Sequence, residues 1–364
     1  MRFGEEHQEL RTAVRSLLAK YEGAAAWGPL TRQIGVAGLA VPEEYGGAGC
    51  GPVEVHVVME ELGRTLAPVP YLGSAVLATQ ALLAAGDTGL LPALAEGRTT
   101  GALAWAENGS WRPEAVRARA VRGADGWRIT GVKDHVLDGA GPDGAGEGAD
   151  VLLVAARTEA GLALFHVPSG ADGVSREAHT TMDLTRPQAT LRFDGAEARA
   201  VAVDGDRVLA HVRDLACTAL AAEQVGAAER CLELTIAHVQ DRVQFGRPIG
   251  SFQAVKHRLA DAFVRVESAR SAALGASWAA ASGSPDLSRY AAVAKSACSE
   301  AFSAVAGDMI QLHGGIGITW EHDAHRYFKR AHGSSQLFGS PAGHRDRIAE
   351  AVVGPRAAGA ASLA

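Results

Sequence analysis

Residues 241–261 read D-R-V-Q-F-G-R-P-I-G-S-F-Q-A-V-K-H-R-L-A-D and gather Arg242, Gly246, Gly250 and Gln253 into one short stretch. A guanidinium, an amide, and glycines that let the backbone come close are groups that grip an anion. Ser251 stands where a helix N-cap is expected, and Val255, Leu259, Ala262/Phe263 and Val266 recur at helical spacing behind it. An anion here would meet a helix N-terminus, an Arg fork and an amide together. The plainer reading of the same residues is a surface corner with a solvated Arg.

A second stretch, Gln311-Leu312-His313-Gly314-Gly315-Ile316-Gly317, carries two adjacent glycines whose N–H groups can face an anion. Its plainer reading is a helix end followed by a loop, with His313 bonded to backbone. His322 and His325 have the i, i+3 spacing of a helical metal pair, but no third ligand stands at suitable spacing, so a solvated helix face is expected. The G-x-G-x-x-G match at Gly139, Gly141 and Gly144 is rejected as a dinucleotide fingerprint, because Pro142 and Asp143 make a turn and a strand follows where a helix is required.

These stretches need a scaffold, and the chain has three kinds of periodicity to build one. Residues 1–97 read as helices: Phe3, Leu10, Val14 and Leu17/Leu18 form one stripe, with further helices over 53–66 and 74–85. Residues 98–206 change to short runs punctuated by Gly, Asp and Pro, the pattern of a small antiparallel β domain with strands near 100–106, 116–121, 127–130, 151–155, 163–167 and 189–193. Helical spacing returns over 207–356, with helices over 215–240, from Ser251, over 287–312 and from near Glu321. Ala221, Val225, Ala228, Leu232, Thr235/Ile236 and Val239 mark the inner face of the first of these. The Ala-rich stretch 357–364 reads as a disordered tail. The expected class is α+β: an N-terminal helical domain, a middle small β domain and a C-terminal helical bundle.

Composition narrows the function classes. The chain has 364 residues, is 47% hydrophobic and 21% charged, and carries a net charge of −6 with no basic run, so a nucleic-acid partner is not expected. Four scattered cysteines (Cys50, Cys217, Cys231, Cys298) without a C-x-x-C fit reduced thiols in a cytoplasmic protein rather than a disulfide framework or zinc site. No apolar run is long enough to span a bilayer, so no membrane role is expected.

The string R-x-x-F-G-x-x-I-x-x-F-Q-A-x-x-H-x-L-A-D, together with Q-x-x-G-G-x-G, resembles the C-terminal helical domain of the acyl-CoA dehydrogenase family, and P-E-E-Y-G-G-x-G resembles a loop of its N-terminal domain. The likeness runs along nearly the whole chain and is strongest over 221–331. It implies the helical, β, helical-bundle fold, FAD as cofactor and an acyl-CoA substrate, with electron-transfer flavoprotein as the electron acceptor. It also implies that Arg242, Gln244, Phe245, Phe252, Gln253, Gln311, Gly314 and Gly315 serve FAD across a subunit interface, reaching flavin seated mainly in a neighbouring protomer. Arg242 would then hold the pyrophosphate, and Gln311 and Gly315 would line the adenosine end.

The chain departs from the family where chemistry happens. The family's base is a carboxylate that removes the α-proton of the thioester. Its usual place, Glu-Gly-Thr/Ser, is here Phe338-Gly339-Ser340, and its alternative place on the helix before the Arg motif is Ala216. Asp214 and Glu223 are the nearest carboxylates and remain minor candidates. The T-E-P-x-x-G-S segment is Ala106-Glu107-Asn108-Gly109-Ser110, and the W-I-T-N-like segment is His135-Val136-Leu137-Asp138, although Trp127, Gly131 and Lys133 persist. One half of a flavin site is thus intact and the other impaired. The expected function is a base-less subunit of a heterotetrameric (α2β2) acyl-CoA dehydrogenase whose homologous partner carries the catalytic Glu. Resemblance to heteromeric enzymes extends to those of bacterial sterol side-chain degradation, so steroid-CoA thioesters are the expected substrates. The alternatives are a flavin monooxygenase or oxidase of the same fold, a purely structural subunit, or a homotetramer using Asp214 or Glu223.

Overall fold

Apolar residues at helical spacing form the first helices of the computed structural model, which describes residues 3–141 and 148–354. In order these are α1 (Glu5–Lys20), the single turn α2 (Trp27–Pro29), α3 (Pro52–Thr65), α4 (Thr79–Ala85) and α5 (Leu91–Ala95). The helix expected over 74–85 is two pieces. Tyr71–Ala78 is a π-helical stretch whose every residue is buried, and α4 continues from it.

Seven strands follow: β1 (Gly101–Ala104), β2 (Arg119–Gly123), β3 (Gly126–Leu137), β4 (Val151–Thr158), β5 (Gly161–Pro168), β6 (Val174–Ala178) and β7 (Gln188–Ala202). The sheet is mixed rather than antiparallel, because β1 and the first residue of β2 run parallel to β4. The pairings β4–β5, β5–β7, β7–β3, β3–β2 and β2–β4 return to their start, so the strands curl into a small barrel. The strand β4 is buried along Val151–Ala156. Leu152, Val154 and Ala156 fill the barrel, while Val151, Leu153 and Ala155 pack with the N-terminal helices. Burial on both faces explains its unbroken apolar run.

The bundle comprises α6 (Gly205–Asp241), a β-hairpin of β8 (Val243–Gln244) and β9 (Arg247–Pro248), α7 (Gln253–Ala281), α8 (Leu287–His313), α9 (Ala324–Gln336) and α10 (Pro341–Val353). The helix α6 starts ten residues earlier than its apolar stripe suggests. The carboxylate of Asp204 caps it by accepting the Arg207 N–H at 3.1 Å. Residues 216–228 are all buried, so α6 is the axis that three core clusters share, and Ile236 alone of its expected inner face is exposed. It crosses α3 at close range. A Cβ on Gly226 would meet the Glu60 carbonyl oxygen at 2.0 Å, and one on Gly63 would meet that of Glu223 at 2.0 Å. No other residue fits at either crossing point.

Ser251 does not cap α7. Ile249–Ser251 form a 3-10 turn pressed on α6 at Val239, Phe252 takes the cap position, and the Ser251 hydroxyl is buried without a partner. Along α7 the buried stripe is Ala262, Val266, Ala269, Ala273 and Ala276, with Val255 and Leu259 half-buried and Phe263 exposed. The last expected helix is two, α9 and α10. Ser340 caps the second, accepting the Gly343 N–H at 3.2 Å ahead of Pro341. Gly144 of the rejected glycine motif and the tail 357–364 lie outside the described residues. Among the described residues, no helix is long and apolar enough to cross a membrane.

Candidate functional site

Both glycine-bearing stretches end up at one end of the bundle. Arg242 closes α6: its N–H bonds His238 O at 2.9 Å and its carbonyl accepts from Ile249 N at 2.8 Å. The hairpin that follows is exposed throughout, and Phe245 sits at its tip with φ +53° and 91% of its surface open. Phe245 meets Phe252 edge-on at 6.0 Å, and the Arg247 guanidinium lies 4.1 Å over the Phe252 ring. Gln311 lies on the last turn of α8, and Gly314 and Gly315 begin the 3-10 turn after it, all three exposed. The two stretches are joined by stacked imidazoles: His238 of α6 lies 4.3 Å from His313 of α8, ring centroid to centroid. Added Cβ atoms on Gly314 or Gly315 would meet nothing within 4 Å, so their backbone faces open space. Among the described residues, the side chains of Arg242, Gln253 and Gln311 make no hydrogen bond or ion pair, while Gln244 Nε2 turns back to its neighbour's carbonyl at 2.8 Å. The geometry thus brings the ends of α6 and α8 together through the His238–His313 stack, with Arg242, Gln253 and Gln311 free of partners among the described residues.

The second locale is a cleft of about 1450 Å³ between the barrel and α9–α10. Its inner wall is aromatic. Trp105 stacks on Phe338 at 5.8 Å, and Trp111 meets both edge-on, at 5.2 and 5.1 Å. His135 and His179 continue the row, 5.4 Å apart, held by Gln188 Oε1 at 3.0 Å and Thr190 Oγ1 at 2.7 Å. Sequence reasoning missed Trp105 and Trp111. The signal was present as W-A-E-N-G-S-W, two tryptophans flanking a tight turn that the Glu107–Ser110 bridge closes. Glu107 itself is committed to structure. It accepts from Arg117 N (2.7 Å), Ala118 N (2.9 Å) and the buried Lys133 Nζ (2.6 Å). Burial pulls the Lys133 ammonium down to about 8 against the pull of Glu107.

The two places where a base is expected converge beside this wall. Phe338 (φ +61°) and Ala216 are 1% and 0% exposed and belong to one apolar core cluster. His344 ties Phe338 to the residue after Ala216: its Nε2 lies 3.2 Å from Phe338 O and 3.8 Å from Cys217 Sγ. Arg347 Nη1 donates to His344 Nδ1 at 3.1 Å, which leaves the proton on Nε2 to donate to Phe338 O. Burial, and then Arg347, push the His344 imidazolium down to about 3, so the ring is neutral. Asp214 anchors the far end of this chain by accepting from Arg347 Nη2 at 2.7 Å. Glu223 sits between Arg186, at very short range, and Arg330 at 2.9 Å. Burial would raise the Glu223 carboxyl, but the two guanidiniums outweigh it and hold it below the usual range. Both minor base candidates are therefore bound in ion pairs rather than poised for proton transfer.

The family models for the acyl-CoA dehydrogenase N-terminal and C-terminal domains match residues 4–97 and 208–353. The acyl-CoA dehydrogenase IpdE2 of Mycobacterium tuberculosis is 41% identical over 354 residues, covering 93% of this chain and 94% of that protein. The chain belongs to the acyl-CoA dehydrogenase family. Among solved structures, a variant of the steroid acyl-CoA dehydrogenase Tcur3481–Tcur3483 matches with TM-score 0.84 and 33% identity over 96% of this chain and 98% of that one. The ChsE4–ChsE5 complex of Mycobacterium tuberculosis matches with TM-score 0.86 and 31% identity, over 98% and 99%. The family's members are FAD-dependent flavoproteins. The bundle end of this acyl-CoA dehydrogenase fits such a ligand: a free guanidinium, free amides and an open Gly-Gly backbone suit a pyrophosphate and its nucleoside. The inner wall of the cleft holds a packed aromatic cluster at Phe338, the position where the sequence resemblance places the family's carboxylate.

Proposed function

We propose that this chain is the non-catalytic subunit of a heteromeric acyl-CoA dehydrogenase, cytoplasmic, assembled with a homologous subunit that carries the catalytic carboxylate. One observation carries the reading: both base positions, Phe338 and Ala216, lie in a single apolar cluster, and the nearby carboxylates Asp214 and Glu223 are consumed by Arg347, Arg186 and Arg330. When bound, FAD supplies the hydride acceptor for α,β-dehydrogenation of an acyl-CoA thioester. The α-proton must go to a carboxylate within hydrogen-bond reach, and this chain offers none there. What it offers is the bundle end. Arg242 would pair with the pyrophosphate of flavin seated mainly in the partner, with Gln244, Phe245, Phe252 and Gln253 beside it. Gln311, Gly314 and Gly315 would line the adenosine end. Steroid-CoA thioesters are the proposed substrates and electron-transfer flavoprotein the proposed acceptor, by likeness to the steroid acyl-CoA dehydrogenase above.

The test is co-expression with the neighbouring dehydrogenase-like subunit, followed by flavin and turnover assays. The chain alone is expected to be colourless and inactive, and the complex to be yellow, with about half the flavin of a homotetramer. In the complex, Arg242→Ala should weaken FAD binding about 10–100-fold, the worth of a charge-assisted pair. A yellow, active homotetramer would sink the proposal in favour of the same-fold oxidase or monooxygenase.

A further inference from the structure

The bundle end is held together by an unusual contact. His238, three residues before the end of α6, lies 4.3 Å from His313 with an interplanar angle of 25°. His313 closes α8 and in turn lies 4.3 Å from His322, at 43°, in the segment leading to α9. The three rings therefore bridge the two stretches that carry the proposed flavin contacts. His238 is four residues before Arg242, and His313 sits between Gln311 and Gly314.

Hydrogen bonding fixes the protons in this stack. His313 Nδ1 donates to Met309 O at 2.8 Å, so Nε2 carries the lone pair; Nε2 is buried and has no partner. His322 Nδ1 accepts from Ala324 N at 3.1 Å. A proton added to His313 would find no acceptor at Nε2 and would face a second ring on each side. The charged groups around the stack do not relieve this. Asp241 favours charge on His238, but Arg242 on the same helix end opposes it, as does His322. On the α9 side, Asp323 pairs with Arg326. No carboxylate forms an ion pair with any of the three rings among the described residues.

We infer that His313, clamped between His238 and His322, is the positioning residue of the proposed flavin half-site: with His313 neutral the stacked rings hold Arg242 in register with Gln311 and Gly314–Gly315, and a proton on His313 releases that register. The inference rests on the reading that these residues serve the partner's flavin. Burial, and then the neighbouring histidines against the backbone bond to Met309, draw the His313 imidazolium down to about 4. The sign follows: His313 in the folded stack excludes a proton that the free imidazole takes up near pH 6.5, so the register is intact above about pH 6.5 and is lost as pH falls toward 4.

The experiment uses the heteromeric complex and measures FAD dissociation constants by flavin fluorescence at pH 7.5 and 5.5. Wild type is compared with His313→Ala, His313→Phe and Arg242→Ala. At pH 7.5, His313→Ala should weaken FAD by about ten-fold, the upper worth of one lost ring contact. His313→Phe keeps a ring and loses the titration. It should bind like wild type at pH 7.5 and lose clearly less affinity than wild type on going to pH 5.5. If His313→Ala fails to assemble, the His313→Phe profile decides alone. Arg242→Ala weak with both His313 variants indistinguishable from wild type in affinity and in pH profile would overturn the inference while leaving the half-site reading standing. Arg242→Ala binding FAD normally would overturn the half-site reading, and the inference with it.

Discussion

The bundle end and the aromatic cleft treat their polar groups in opposite ways. In the cleft and the core around it, the candidate side chains are answered from within the chain. Glu223, in a separate small cavity with Leu137 and Pro187, is answered by Arg186 and Arg330, Asp214 by Arg347, His344 by Arg347 and the Phe338 carbonyl, His135 by Gln188 and His179 by Thr190. At the bundle end, Arg242, Gln253 and Gln311 have no such partner among the described residues, and Phe245 and Trp320 stand 91% and 77% open. Burying a polar group is costly unless it is paired, so carboxylates and imidazoles that are already paired have little left to offer a reacting substrate. Free donors beside exposed rings are what a second chain and its cofactor can use.

The contrast is most sharply tested at Glu223. Glu223→Gln removes the carboxylate that Arg186 and Arg330 share, leaving Asp183 to face two buried guanidiniums that already repel each other. Breaking a buried pair in this way is expected to cost about 3–5 kcal/mol of stability, read from denaturant unfolding of the complex. Turnover per bound flavin should be unchanged in the fraction that stays folded. A stable variant with abolished turnover would mean that Glu223 is a base after all, and that this chain is catalytic.

Phe338 gives the next effect. It is buried against Trp105 and Trp111, so Phe338→Ala should leave a cavity and cost about 3–5 kcal/mol, the lower end if the two indoles collapse into the gap. Flavin content of the complex should not change, because the proposed flavin contacts lie at the other locale. Loss of flavin from Phe338→Ala, with stability preserved, would move the cofactor into this chain's own cleft.

How much of this was legible in the sequence differs between the two locales for a physical reason. The bundle end is encoded locally: Arg242 with its hairpin, and Gln311 with its Gly pair, are contiguous strings, and local strings are readable. The cleft is assembled by tertiary contact. Trp105 and Trp111 meet Phe338 across more than 220 residues, and Arg347 reaches Asp214 and His344 at once, which no spacing rule reports. The barrel was misread as antiparallel because β1 and β2 join β4 in parallel through long-range pairing. Ser251 looked like a cap because its type is right; Gly250, pressed on Val239, turns the chain so that the helix starts two residues later. The start of α10 was missed although Ser340-Pro341 is a cap followed by a first-turn proline. That Ser stands in the segment where the sequence resemblance places the family's base, and its hydroxyl is occupied with the Gly343 N–H. Ser340→Ala is thus expected to cost about 1 kcal/mol and to raise hydrogen exchange in the first turn of α10, with no change in flavin affinity. A flavin effect larger than the stability effect would give the hydroxyl a role in binding.

The smallest expected stability change falls on the residue with the largest expected binding change. Arg242 is exposed, and its side chain makes no hydrogen bond or ion pair among the described residues, so Arg242→Ala should shift the unfolding free energy of the flavin-free protein by no more than about 0.5 kcal/mol. Its backbone bonds to His238 and Ile249 persist in the variant. Removing one positive charge beside His238 should even ease protonation of that ring slightly, since Arg242 opposes it. A residue that folding can do without, one turn beyond the stacked His238 at a helix end, is free to serve something outside the chain. If the melting temperature of the flavin-free variant instead drops as far as that of Glu223→Gln, Arg242 is part of the scaffold, and the difference between the two locales disappears.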